Sequence, residues 1–329
     1  MDYLTTLQML NDCHGPSGDE RQVAIALKQL AEPYADQCSI DTMGNLIVHK
    51  EGPGPKVMIA THMDSIGLIV THIEEEGYLS FGKLGGLHPE SILHTPVRFK
   101  NGITGVVALR QKVAVKDMTL QDLYIDIGAK NEADARRMVQ VGDTAVCGMP
   151  PFAMGSHIVS PYLDNRISCI ALLDALCSIE HHTNDLYFVF TVQEELGLRG
   201  SKPVAYAIDP EYAIVVDVTA AEELDDQHKG SCKLGSGAAI KIMDTSIVCP
   251  TEMVELLEKL ALEREIPFQK DILTAGGTDA GSIHLTRAGV LTGGISIPCR
   301  YVHSPVEMVD TADVVSVSHL ITAFAQEKL

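Results

Sequence analysis

A chain of 329 residues is about twice the usual domain size, so one enlarged domain or two domains are expected. Hydrophobic residues make up 46% of it and charged ones 21%, which excludes a mainly disordered, collagenous or membrane chain. The 25 basic and 44 acidic side chains leave a formal net charge of -19, which repels nucleic-acid phosphates and anionic lipid and suits a protein that gathers carboxylates around metal ions.

The segment after Met1 has neither the basic nor the apolar stretch of a secretory leader. Ser17-Gly18-Asp19-Glu20 has the spacing of a capping box, and Val23, Ala24, Leu27 and Leu30 follow at helical intervals, so a first amphipathic helix is expected there. Short branched apolar runs over 45–49 and 57–61, bounded by Gly and Pro, read as buried strands. Between about 71 and 157 the texture changes. Gly-rich runs, an Asn101-Gly102 hairpin signal between 97–99 and 103–109, and one short helix near 131–140 suggest a small β-rich insertion. Beyond it come a helix over 167–179, strands over 186–192 and 212–218, a helix over 251–265, a strand over 290–297 and a C-terminal helix from Thr311. The expected fold is therefore α/β, a mostly parallel sheet flanked by helices. Residues 1–70 and 158–329 would form the catalytic domain and 71–157 the inserted one. The eight cysteines are scattered without a CxxC pair, and no apolar run approaches the ~18 residues of a membrane span, so a reduced cytoplasmic protein without membrane or nucleic-acid partners is expected.

Chemistry-bearing residues recur at the ends of these strands. His62 and Asp64 lie two apart at a strand end and face one way, a carboxylate beside a histidine being the usual device for orienting a ligand imidazole. Asp164 precedes a helix, where it serves equally well as an N-cap or as a ligand. Glu194 and Glu195 close the run 186–192; as neighbours they repel unless solvated, protonated or neutralised by cations. Asp217 ends another apolar strand, and His303 lies on the loop after 290–297. Together these make a ligand set for two divalent ions with one glutamate to spare. Asp164, Glu195 and Asp217 with one hydroxide would balance the ions' charge. His181-His182 and His284 read as surface and packed histidines, and Leu234-Gly235-Ser236-Gly237 lacks the ending of a phosphate loop.

The motifs His62-Met63-Asp64, Leu163-Asp164-Asn165-Arg166, Glu194-Glu195-Leu196-Gly197, Val216-Asp217, Gly276-Gly277-Thr278-Asp279-Ala280-Gly281 and His303-Ser304-Pro305-Val306-Glu307 resemble, in this order, those of the M42 family of metalloaminopeptidases. The resemblance implies that Asp164 bridges two metals, with His62 and Asp217 completing one site and Glu195 and His303 the other. It implies Glu194 as general base and Asp64 as the group orienting His62. It further implies contacts to peptide substrates with a free N-terminus from Gly235, Gly237, Gly276, Gly277 and Thr278, two ions of zinc or cobalt with manganese as a third choice, and a β-rich dimerisation domain in tetrahedral dodecamers. Ser65 and Ala238 stand where the family often has glutamate and proline, which bears on the substrate pocket. A dinuclear deacylase or carboxypeptidase-like enzyme shares the ligand logic, and a non-catalytic metal-binding protein is the rival from another class; the spare Glu194 argues against the latter. Cellulose binding is discounted, since the chain has no Trp and only 5% aromatics.

Overall fold

The computed structural model of the protein describes residues 1–111, 113–221 and 232–329. Eight strands form the main sheet in the spatial order Gln37–Ile40, Leu46–Lys50, Asp185–Thr191, Lys56–His62, Tyr212–Ala220, Leu291–Cys299, Ala238–Met243 and Phe268–Ile272. The third to sixth of these run parallel. Lys56–His62 is buried at six of seven positions and Leu291–Cys299 at eight of nine, as strands covered on both faces must be. The sheet as a whole is mixed: of seven neighbouring pairs, four are parallel and three antiparallel. The short turn between Ile40 and Leu46 permits only an antiparallel hairpin, because a parallel return needs a crossover of about a dozen residues.

The helix expected over 167–179 is Leu163–Ser178, with 13 of its 16 residues buried between the sheet and Thr311–Gln326. That over 251–265 is Thr251–Glu263. The first helix is not the expected one. It is Tyr3–Asp12, capped by Asp2 on the Thr5 amide, with a short buried stripe of Tyr3, Leu7 and Leu10. The helix after Ser17 starts only at Arg21, and its capping box does not form. Ser17 Oγ instead donates to Asp64 Oδ2 at 2.5 Å, and Glu20 accepts from the Gly18 amide at 2.6 Å. A long-range partner has taken the Ser17 hydroxyl that local spacing assigned to the cap, and the Glu20 carboxylate also accepts the distant amide of Gln193.

Six strands between Gly67 and Cys147 close into a barrel, in the order Gly67–Ile73, Leu79–Leu84, Leu123–Asp126, Thr104–Leu109, Pro96–Phe99 and Thr144–Cys147. The Asn101-Gly102 turn joins two of them, Gly102 supplying the φ of +88° that the turn requires. Asn131 caps the helix Glu132–Met138 by accepting from Asp134 N. The barrel has its own buried cluster around Leu79, Phe99, Val107 and Ile125, separate from that of the main sheet. His157–Ser160 then pairs on one side with Phe152–Met154 and on the other with Glu307–Asp310 in a three-stranded sheet. No helix among the described residues is long and apolar enough to cross a membrane.

Candidate metal centre

Parallel pairing brings the reactive residues to one edge. Thr191 is in register with His62, and Val215 with Ala60, so His62, the Glu194-Glu195 turn and Asp217 emerge at neighbouring carboxyl ends. Asp164 comes from the first turn of Leu163–Ser178, where it and Asn165 have non-helical dihedrals across a cis peptide. It does not cap that helix. Its carboxylate faces both histidines, with Oδ1 at 3.1 Å from His62 Nε2 and Oδ2 at 3.3 Å from His303 Nε2.

Two trios of donors share this aspartate: His62, Asp164 and Asp217, and Asp164, Glu195 and His303, the donor atoms of each lying within 4.8 Å of one another. His62 Nε2 is 3.6 Å from Asp217 Oδ1, and His303 Nε2 is 3.1 Å from Glu195 Oε1. Donors bound tetrahedrally at ~2.0–2.1 Å from one ion stand about 3.3 Å apart, so these separations fit a shared ion. Asp164 Oδ1 and Glu195 Oε1 are buried and accept no hydrogen bond of good geometry, which leaves lone pairs for a cation. Glu194 belongs to neither trio; its Oε2 lies 3.9 Å from His62 Nε2.

Carboxylates behind the donors fix them. Asp64, fully buried, meets His62 Nδ1 with its main-chain carbonyl at 3.2 Å and its Oδ1 at 3.4 Å, and its carboxylate accepts the amides of Glu194 at 3.0 Å and Glu195 at 3.3 Å. Glu20 accepts the preceding amide, that of Gln193, at 3.1 Å. Gln193 has a φ of +54°, which a non-glycine residue holds only when its surroundings insist. Glu307 accepts from Asp164 N and His303 N, both at 2.8 Å, and so ties the shared aspartate to the loop histidine. The barrel also reaches the centre: a Cβ on Gly86 would sit 2.7 Å from His303 Nδ1, and one on Gly85 2.9 Å from Glu195 Oε2.

The electrostatics are those of a group that gathers positive charge. Burial opposes charging of His62, but the carboxylates of Asp217 and Glu194 outweigh it and lift the imidazole well above its ordinary value. His303 is lifted likewise by Asp164 and Glu195 against its burial. Asp164 is held below the carboxylate range by the two imidazoles, again against burial. Burial pushes Glu194 well up, with Asp217, Asp279 and Glu195 adding repulsion. Oxygen and imidazole donors of this kind suit zinc, cobalt or manganese.

The centre opens into a cavity of about 660 Å³, within the range of small-molecule sites, whose wall includes Gly276 and Gly277. Gly235, Gly237 and Thr278 lie elsewhere. The amides of Gly235 and Gly237 each donate to Asp313 at 2.7 Å, and Thr278 Oγ1 donates to Asp244 at 3.0 Å. Ser65 donates to the Gly15 carbonyl and Ala238 N to that of Pro267, so neither reaches the cavity wall. His182 and His284 contact main-chain carbonyls and belong to no donor trio.

The profile of the M42 glutamyl aminopeptidases matches residues 44–320. The chain belongs to the M42 family. The lysyl aminopeptidase of Pyrococcus furiosus is 36% identical over 311 residues, covering 91% of this chain and 89% of that protein. The structure of aminopeptidase APDkam598 from Desulfurococcus kamchatkensis superposes with a TM-score of 0.95 at 37% identity, covering 98% of this chain and 94% of its own. That of the Pyrococcus horikoshii TET1 peptidase, which assembles into a tetrahedron or a large octahedral shell, gives 0.90 at 30% identity over 99% of this chain and 100% of its own. This M42 chain is an aminopeptidase, a hydrolase acting on peptide bonds.

Proposed function

We propose that this aminopeptidase uses two divalent ions, one held by His62, Asp164 and Asp217 and the other by Asp164, Glu195 and His303, to release N-terminal residues from short peptides. Bound there, the ions would supply Lewis acidity and lower the pKa of a coordinated water toward neutrality. Glu194 is the proton carrier: its carboxylate takes the proton of the attacking water and returns it to the leaving amine nitrogen. Asp64 holds His62 by Nδ1 and the Glu194-Glu195 turn by its amides. The observation that carries this reading is the position of Glu194, in the same cavity as both trios and a member of neither. A storage site would need no such group.

Glu194→Gln and Glu195→Gln test it. The first is expected to keep two metals per chain and lose ~10²- to 10⁴-fold in rate; the second is expected to fall toward one metal and to recover partly in excess metal. The reverse pattern would exchange the roles, and full activity in both would end the two-metal reading. Zinc or cobalt, with manganese third, a cytoplasmic location and a dodecamer in which the barrel makes subunit contacts belong to the same proposal. Its support for assembly is the shell formed by the horikoshii relative.

A further inference from the structure

The hydrolysed bond must lie over the two trios, so the side chain of the substrate's first residue falls on the wall immediately beside them. That wall is apolar. Val218 follows the ligand Asp217 in sequence, and Val302 precedes the ligand His303; Leu198, from the turn after Glu195, and Leu273, after the strand Phe268–Ile272, extend the same surface. Among the described residues lining the cavity, the ionisable ones are the five donors, Glu194 and one exposed imidazole, His88, on the barrel loop. No lysine or arginine among them could receive a glutamyl carboxylate. Among the described lining residues the acids are those of the trios and Glu194, so a lysyl ammonium would have to compete with the metals for them.

Resting on the aminopeptidase reading, we infer that the enzyme selects peptides whose first residue is neutral and apolar, of leucine or methionine size, and discriminates against glutamyl and lysyl substrates despite the names of its family and of its furiosus relative. An apolar side chain gains by leaving water for Leu198, Val218, Leu273 and Val302, whereas a charged one loses hydration and meets, among the described lining residues, no free partner of opposite sign. Differences of this kind amount to at least about tenfold in kcat/KM.

The test is a panel of leucyl, methionyl, glutamyl and lysyl 4-nitroanilides with the metal-loaded full chain. Leucyl or methionyl should lead glutamyl and lysyl by at least about tenfold in kcat/KM. A glutamyl or lysyl substrate within twofold of leucyl, or ahead of it, overturns the inference while leaving the aminopeptidase intact. Hydrolysis of none of them by two-metal protein would instead strike the aminopeptidase reading. Leu273→Lys, checked for parental metal content and melting, should shift the leucyl-to-glutamyl ratio toward glutamyl by about tenfold, with Leu273→Ala as the milder variant lowering leucyl kcat/KM alone. An unchanged ratio in both variants would remove Leu273 from the specificity wall and overturn the assignment of that surface.

Discussion

Removing the carboxylate of Glu20 should slow catalysis without emptying the metal centre. Its Oε1 takes the amides of Gly18 at 2.6 Å and Gln193 at 3.1 Å, and Gln193 leads directly into the turn whose next two amides rest on Asp64. A hydrogen bond to a charged acceptor contributes about 1.5–3 kcal/mol. Burial has raised Glu20 from 4.5 to about 7, so near neutrality only about half the molecules carry the charge and the lower figure applies. Releasing Gln193 from its left-handed backbone then costs about 1.5 kcal/mol in the placement of Glu194, close to tenfold in rate. Glu20→Ala is expected to lose about tenfold in kcat, with KM within about twofold and two metals retained. Glu20→Gln keeps the acceptor oxygen and should stay within about threefold of the parent. The two variants also separate placement from stability. An acid raised in the fold makes the folded state less stable as pH climbs from 4.5 through about 7. Glu20→Gln should therefore melt above the parent at pH 8 and gain nothing at pH 4.5. Steady-state kinetics with elemental analysis and thermal melts decide the matter. A folded Glu20→Ala enzyme with parental kcat, or an equal loss in both variants, would refute the reasoning.

Three further outcomes follow from the same geometry. Burial holds His14 down to about 4, its Nε2 at 2.7 Å from Thr144 Oγ1, so the unfolded chain takes a proton below 6.5 that the fold refuses. About 3 kcal/mol of stability, present above pH 6.5, should vanish as pH falls toward 4, and His14→Gln should flatten that limb in denaturant titrations. Gly86→Ala should lower metal content toward one per chain and depress kcat, since the new methyl would stand 2.7 Å from His303 Nδ1; two metals and full activity would show that the ring can yield. Light scattering should give an assembly well above the 35.6 kDa of one chain, and a monomer at micromolar protein would remove the oligomer from the proposal.

His62, Glu194, Glu195 and Asp217 were legible in the sequence because each follows or ends a run of buried apolar residues, and polar groups at such strand ends gather on one edge. Asp164 was ambiguous, since a helix-capping aspartate and a ligand aspartate look alike until the dihedrals at Asp164 and Asn165 turn the carboxylate away from the helix. Glu307 closes one of the quoted motifs and Glu20 a capping-box spacing, but neither pattern disclosed the amides they hold. Each accepts backbone amides distant along the chain, 143 residues away for Glu307 on Asp164 and 173 for Glu20 on Gln193, and any residue type can donate an amide. Glu20 was further disguised by the capping-box spacing from Ser17, a local solution that the tertiary bond to Asp64 outcompetes. The parallel centre of the sheet followed from the alternation of strands and helices. Its antiparallel flanks did not, because they depend on the short link between Ile40 and Leu46 and on the placement of Ala238–Met243 against Leu291–Cys299.

The contact of Gly85 and Gly86 with Glu195 and His303 bears on how this enzyme could be rebuilt or could drift. The barrel looks like a cassette that could be trimmed or exchanged, since it carries its own core. Yet its edge turn packs bare backbone against two of the candidate donors, with no room for one added carbon. A graft from another protein would have to reproduce that turn to within a few tenths of an ångström, or the imidazole of His303 would be pushed from its place beside Asp164. If the barrel makes the proposed subunit contacts, changes there would reach the metal centre by the same short path, and assembly and turnover could not be tuned independently.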